Sequence, residues 1–309
     1  MSNTEPMFDV KSDEHVPLWT ALVTPMLQNG KIDLENLENL IRRQESSGNG
    51  VLLIGSTGEG LALSDREKRQ VVEIAAGLNP TVPLMAGVGG YNLEAQKEWV
   101  RFGNQLEIDA FLMVAPLYSK PGPVGQKLWF EALLDVAEKP CMIYNIPSRT
   151  GVRIPPDVFA GLDGHPRFCS IKEASGSVQE YQAIREAVPD VPLYSGDDGL
   201  LPFFAASGCS GLVSVASNVW PEATRLYVDR CLKRDAGDIV PLWRRASTAL
   251  FSAPNPIPAK HLLFEKGWIS SDTLRPPLTS EDLSRDDSLK SVDREIENWL
   301  TSVREDLRH

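Results

Sequence analysis

The chain has 309 residues, 42% hydrophobic and 24% charged, which suits one large globular domain or two ordinary ones with a sizeable buried core. Its net charge of −11 argues against a nucleic-acid binder, which carries a basic stripe, and no apolar run reaches membrane-spanning length. The charge says little about a small anionic substrate, because one local lysine or arginine outweighs the global field.

Residues 1–16 read as a loose polar, acidic arm with no basic region ahead of an apolar core, so they do not form a signal peptide. A cytoplasmic location is expected. Eight short apolar runs then recur, at 18–26, 51–56, 82–88, 110–115, 140–146, 168–174, 191–195 and 211–216. Amphipathic helical stretches separate them. In 33–44, Leu34, Leu37, Leu40 and Ile41 fall at helical spacing behind an acidic first turn. Ser64-Asp65-Arg66-Glu67 is a capping box, with Val71, Val72 and Ile74 on the inner face of the helix it opens. Stretches 93–106, 124–136, 156–162, 178–187 and 200–207 continue the alternation.

Eight strands alternating with helices predict an α/β protein, a (β/α)8 TIM barrel over 17–219. An open doubly wound sheet is the other arrangement. The count of eight, and the lack of a Gly-x-Gly-x-x-Gly turn after the first strand, favour the barrel. The arm 1–16 precedes it, and residues 220–309 form a C-terminal helical extension that includes 238–251, 258–266 and 280–304. Pro254-Asn255-Pro256-Ile257-Pro258 is a rigid break between two of those helices.

Cys141, Cys169, Cys209 and Cys231 make no Cys-x-x-Cys pair and read as buried free thiols of a reducing compartment. His15, His165, His261 and His309 are scattered, with no metal-ligand spacing among them. Neither a metal nor a cofactor is expected.

In a barrel, the carboxyl ends of the strands build the active site. The second run ends in Gly55-Ser56-Thr57-Gly58-Glu59-Gly60, which is either a plain glycine turn or a cradle of hydroxyls and N–H groups for a carboxylate or phosphate. It is not a P-loop, since no Gly-Lys-Ser/Thr follows. The fourth run ends at Pro116-Leu117-Tyr118, and the fifth at Tyr144-Asn145-Ile146-Pro147-Ser148-Arg149-Thr150-Gly151. The sixth carries Lys172, the seventh ends at Ser195-Gly196-Asp197-Asp198, and the eighth contains Val213. Alone, Lys172 reads as a lysine snorkelling from a strand end and Tyr144 as a core tyrosine. Together with two hydroxyls, a second tyrosine and an arginine, they make a carbonyl-condensing site that needs no metal. A buried lysine loses its proton readily, and the neutral amine attacks a ketone to form a Schiff base.

The stretches Gly55 to Gly60, Tyr144 to Gly151 and Ile171-Lys172-Glu173-Ala174, in this order and spacing, resemble the dihydrodipicolinate synthase/N-acetylneuraminate lyase family of class I aldolases. The resemblance runs over about 18–283 and includes Asn255-Pro256-Ile257-Pro258 and Asp272-Thr273-Leu274-Arg275-Pro276-Pro277. It implies that Lys172 forms the Schiff base with pyruvate and that Tyr144 passes protons during imine formation and cyclisation. Ser56 would link Tyr144 to Tyr118, and Tyr118 would reach in from a neighbouring subunit. Thr57 and the backbone at Val213 would hold the pyruvate carboxylate, and Gly196 would line the pocket. Arg149 looks like the synthase branch, where an arginine is expected for the carboxylate of L-aspartate 4-semialdehyde.

The implied reaction is a lyase-class condensation of pyruvate with that semialdehyde to 4-hydroxy-tetrahydrodipicolinate, in lysine and diaminopimelate biosynthesis. The implied assembly is a homotetramer built as a pair of dimers. The other readings are a related pyruvate aldolase acting on a sialic acid or a 2-keto-3-deoxy sugar acid, and a catalytically dead barrel that binds keto acids as a regulator. A nucleotide-binding α/β enzyme is disfavoured by the missing fingerprints. The sequence departs from the family pattern at Ser56, where many synthases have threonine, and at Leu117, where several have a second tyrosine. Asp65 and Tyr91 stand where lysine-regulated members have a histidine and an asparagine, so the resemblance does not carry feedback inhibition by lysine to this chain.

Overall fold

Each of the eight apolar runs contributes a strand: β1 Leu18–Ala21, β2 Gly50–Leu53, β3 Leu84–Val88, β4 Ala110–Val114, β5 Cys141–Asn145, β6 Phe168–Glu173, β7 Leu193–Ser195 and β8 Gly211–Ser214. All pairings are parallel, and the sheet closes in sequence order, β8 meeting β1 with Trp19 opposite Val213. The computed structural model describes residues 15–284 and 287–306, so most of the expected arm, and His309, lie outside the described residues. Of the arm's last residues, His15 is held to the Ser210 carbonyl at 2.6 Å and the Val16 carbonyl accepts from the Tyr194 hydroxyl at 3.1 Å.

The twelve helices among the described residues follow from the same pattern. They are α1 Leu34–Ser46, α2 Asp65–Gly77, α3 Leu93–Asn104, α4 Pro123–Leu134, a single turn α5 Pro147–Thr150, α6 Pro156–Leu162, α7 Val178–Ala187, α8 Leu201–Ala206, α9 Pro221–Leu232, α10 Val240–Leu250, α11 Ile257–Glu265 and α12 Ser288–Asp306. Asp33 caps α1 through the Asn36 N–H, and its inner face buries Leu37, Leu40 and Ile41 completely. Each such side chain contributes about 2 kcal/mol by leaving water. The capping box of α2 forms in both directions between Ser64 and Glu67. On α2 the inward positions are Val71, Val72 and Ala75; Ile74 is only half-buried, because a strict 3.6-residue period passes it by.

Three expectations shift. The first run leaves the sheet after Ala21, and Leu22, Val23 and Met26 are buried in the loop above it, not in a longer strand. The stretch 280–304 splits into a 3-10 turn, Ser280–Asp282, and α12. Helix α9 packs on β8 as the outer helix of the eighth unit, while α10, α11 and α12 pack beyond it on the same chain. Trp243 joins these layers, stacking on Tyr227 at 4.2 Å and meeting Trp299 edge-on at 6.0 Å.

Side chains alternate across the barrel wall. Trp19, Leu52, Met85, Leu112, Met142, Tyr194 and Val213 fill the interior, whereas Val51, Leu53, Phe111, Ile143, Ile171 and Leu193 join the larger core under the helices. The interior is therefore plugged, and a ligand site is expected at its carboxyl end. Among the described residues, no helix is long and apolar enough to cross a membrane.

Candidate active site

Tyr144 and Lys172 are register partners on β5 and β6, and Lys172 in turn pairs with Tyr194 on β7. Inward alternation brings Tyr144 and Lys172 together at the top of the barrel, with the lysine Nζ 4.1 Å from the centre of the tyrosine ring. Both are buried, at 5% exposure for Lys172 and 8% for Tyr144. Burial pushes the Lys172 amine down to about 8, against the pull of Asp197 and Asp198, while Arg149 adds to the drop. At neutral pH this raises the uncharged fraction by roughly two orders of magnitude over an ordinary lysine. Burial raises the Tyr144 phenol, which stays protonated.

The neighbouring residues on the outward face lock the two strand ends. Asn145 donates to Glu173 Oε2 at 2.7 Å and accepts from the Ile154 N–H at 3.0 Å, while Glu173 Oε1 accepts from the Ser175 N–H at 2.7 Å. Gly196 is required here, because a Cβ at this position would lie 2.8 Å from Lys172 Cε and 2.6 Å from Ala174 Cβ. Asp198 is buried and accepts from the Ser214 hydroxyl and the Val215 and Ala216 N–H groups, tying the loop after β7 to the end of β8. Burial raises the Asp197 carboxyl to about 6, with Lys172 opposing the rise.

The loop Gly55 to Gly60 leaves β2 through Ile54, a β-branched residue at φ 50°, and Glu59 also sits at φ 52°. Both lie in the left-handed region, which is costly without glycine and persists only where the surroundings dictate it. The surroundings do so from three sides. Thr24 donates to the Gly58 carbonyl at 2.7 Å, Asn255 Nδ2 donates to Thr57 Oγ1 at 2.9 Å, and Glu59 pairs with Lys260 Nζ at 2.6 Å. The loop is too tight for a side chain at 60, where a Cβ would overlap the Ile54 carbonyl oxygen at 2.0 Å.

A cavity of about 650 Å³ opens over the carboxyl ends of β2 to β5. Ser56, Tyr118, Tyr144 and Arg149 line it. Lys172 lies behind the Tyr144 ring, Gly196 packs on the lysine stem, Thr57 is turned toward Asn255, and Val213 faces the barrel interior beside β1. The structure thus places Tyr144 and Gly196 against Lys172, with Ser56 and Arg149 at the rim. Tyr118 stands apart, 94% exposed with φ 67°, and among the described residues no hydrogen bond joins Ser56 to either tyrosine. Arg149, on the single turn α5, donates to the Asn255 carbonyl at 3.4 Å.

Sequence reasoning missed three residues that shape this site. Asn255 was visible in a proline-rich break and in a stretch of the family resemblance, with no role attached to it. Glu59 lay unassigned inside the glycine loop. Lys260 was detectable as a charge on the otherwise apolar inner face of its helix, among Ile257, Ala259, Leu262 and Leu263.

The model of the dihydrodipicolinate synthetase family matches residues 16–295. The chain belongs to this family. Among its curated relatives, a 4-hydroxy-tetrahydrodipicolinate synthase of Francisella philomiragia is 46% identical over 288 residues, covering 93% of this chain and 97% of the relative. A synthase of the same name from Wolbachia pipientis is 44% identical, covering 91% and 96%. Solved members of the dihydrodipicolinate synthetase family superpose closely. The Methylacidiphilum fumariolicum enzyme has a TM-score of 0.89 at 29% identity over 94% of this chain and 99% of that one. The Acinetobacter baumannii enzyme, solved as a complex with pyruvate, has a TM-score of 0.84 at 30% identity, covering 92% and 98%.

Proposed function

We propose that this chain condenses pyruvate with L-aspartate 4-semialdehyde to give 4-hydroxy-tetrahydrodipicolinate and water. The observation that carries the reading is the buried Lys172 amine stacked on Tyr144 at the carboxyl end of a plugged barrel. Names shared by relatives at 44% identity and above support the choice of reaction.

In this reading the neutral Lys172 amine attacks C2 of pyruvate, and loss of water leaves an imine. Loss of a C3 proton gives the enamine, whose carbon adds to the aldehyde of the second substrate. The amino group of that substrate then attacks the imine carbon, closing the ring and releasing Lys172. Tyr144 moves the protons of imine formation and cyclisation, a role worth about two to four decades in rate. Thr57 and the Val213 backbone hold the keto-acid carboxylate, Gly196 leaves room beside the lysine, and Arg149 binds the semialdehyde carboxylate at the rim.

The deciding assay offers the enzyme both substrate pairs. Turnover of pyruvate with the semialdehyde, without cleavage of N-acetylneuraminate or of a 2-keto-3-deoxy sugar acid, is the expected result. Cleavage of either sugar acid with no condensation would refute it.

The pH dependence has a defined sign. Only the unprotonated amine attacks pyruvate, so the rate of imine formation should rise with pH and level off above about 8, where Lys172 has lost its proton. Borohydride trapping at short times across pH 6 to 10 measures this; a rise that continues to the ordinary lysine range would contradict it.

We further infer a homotetramer in which Ser56 links Tyr144 to Tyr118 of a neighbouring subunit. Support comes from Tyr118, which its own chain leaves almost wholly exposed at the cavity edge in a strained backbone conformation. Subunits carrying Lys172→Ala, mixed with subunits carrying Tyr118→Phe, then rebuild complete sites across the interface. Equal mixing should recover about one quarter of parental activity. No recovery would place Tyr118 outside its neighbour's site. Sedimentation and cell fractionation test the tetramer and the cytoplasmic location, the latter inferred from four buried free thiols.

A further inference from the structure

The Glu59–Lys260 pair is removed from solvent at both ends, with side-chain exposures of 1% and 0%. Burying two opposite charges carries a desolvation cost that their attraction barely offsets, and well-packed apolar residues of the same size often stabilise a fold equally well. What such a pair adds is direction. Both carboxylate oxygens of Glu59 are engaged, Oε1 with Lys260 Nζ at 2.6 Å and Oε2 with the Arg275 N–H at 2.7 Å. Lys260 gives a second hydrogen bond to the Thr273 carbonyl at 2.7 Å.

These contacts meet the loop two residues from Thr57. The segment that leads into α11 reaches Thr57 itself, through Asn255. One stretch of chain, 255–260, therefore grips the loop at two points. A single attachment would let the loop pivot, whereas two fix the direction of the residues between and beside them. The loop needs such fixing, because its backbone is held in the left-handed region at both Ile54 and Glu59.

We propose that the buried Glu59–Lys260 pair is a positioning element for the keto-acid half of the site: it sets the loop 55–60 so that Thr57 is presented to the substrate carboxylate. This rests on the role given to Thr57 above. Neither Glu59 nor Lys260 touches substrate, and their effect is transmitted through the loop.

The test is the double variant Glu59→Gln/Lys260→Met. It removes both charges together, keeps both side-chain lengths, and leaves an amide oxygen for the Arg275 N–H. We expect it to fold, with kcat within about threefold of the parent, KM for the semialdehyde within about twofold, and KM for pyruvate raised at least about tenfold. Hydrogen exchange at the amides of 55–60 should quicken by a similar factor while β2 and β3 stay protected. A purely structural pair would lower the melting temperature without this split between the two substrates. A pyruvate KM and loop exchange unchanged from the parent overturn the proposal. So does a double variant that cannot fold, because the pair would then serve stability. Absence of any pyruvate adduct on parental Lys172 would sink the Schiff-base reading instead, and the exchange comparison would still decide whether the pair sets the loop.

Discussion

Borohydride reduction in the presence of pyruvate is expected to leave a stable adduct on the peptide that carries Lys172, and Lys172→Ala is expected to form none. Turnover of the variant should fall by roughly three orders of magnitude or more, since among the described residues no other amine lies against Tyr144 to replace it. The variant should remain folded. Lys172 makes no ion pair among the described residues, and removing a group whose charge is disfavoured by burial relieves a desolvation cost. Thermal melting separates the two effects. An unmodified Lys172 in the parental protein, with activity intact, would rule out imine chemistry at this amine.

Arg149→Ala should have the second largest effect and a different signature. The arginine is exposed at the rim, and among the described residues its side chain gives one long hydrogen bond, to the Asn255 carbonyl, so little of the fold depends on it. If it holds the semialdehyde carboxylate as proposed, its loss should lower kcat/KM for the semialdehyde by about a hundredfold or more, while the pyruvate adduct on Lys172 forms as before. Arg149→Lys should recover only part of the loss, because an ammonium cannot reproduce the planar fork. Steady-state kinetics on the second substrate, paired with trapping on the first, reads both halves. Undiminished condensation by Arg149→Ala would remove the arginine from the site.

The barrel was legible in the sequence because its strands are buried on both faces, which turns each into a short continuous apolar run. The same signal misled at 22–26, where apolar residues continue into a buried loop that periodicity does not distinguish from a strand. Lys172, Tyr144 and Arg149 were legible because strand ends in a barrel converge, so position along the chain already implies a shared mouth. Thr57 with Asn255, and Glu59 with Lys260, were not. These partners are 198 and 201 residues apart, and no local pattern records which distant segment a loop will meet. The exposure of Tyr118 was equally hidden, since it depends on backbone geometry at the end of a loop.

The attachment of the β2 loop to residues 255–275 also bears on how the molecule comes into being. A ribosome that has delivered all eight strands has still not delivered Asn255, Lys260 or Arg275, the partners of Thr57 and Glu59. A nascent chain at that stage holds every residue of the Lys172–Tyr144 stack yet lacks the wall that shapes its entrance. Competence is therefore completed by the segment that follows the eighth strand, not by closure of the cylinder.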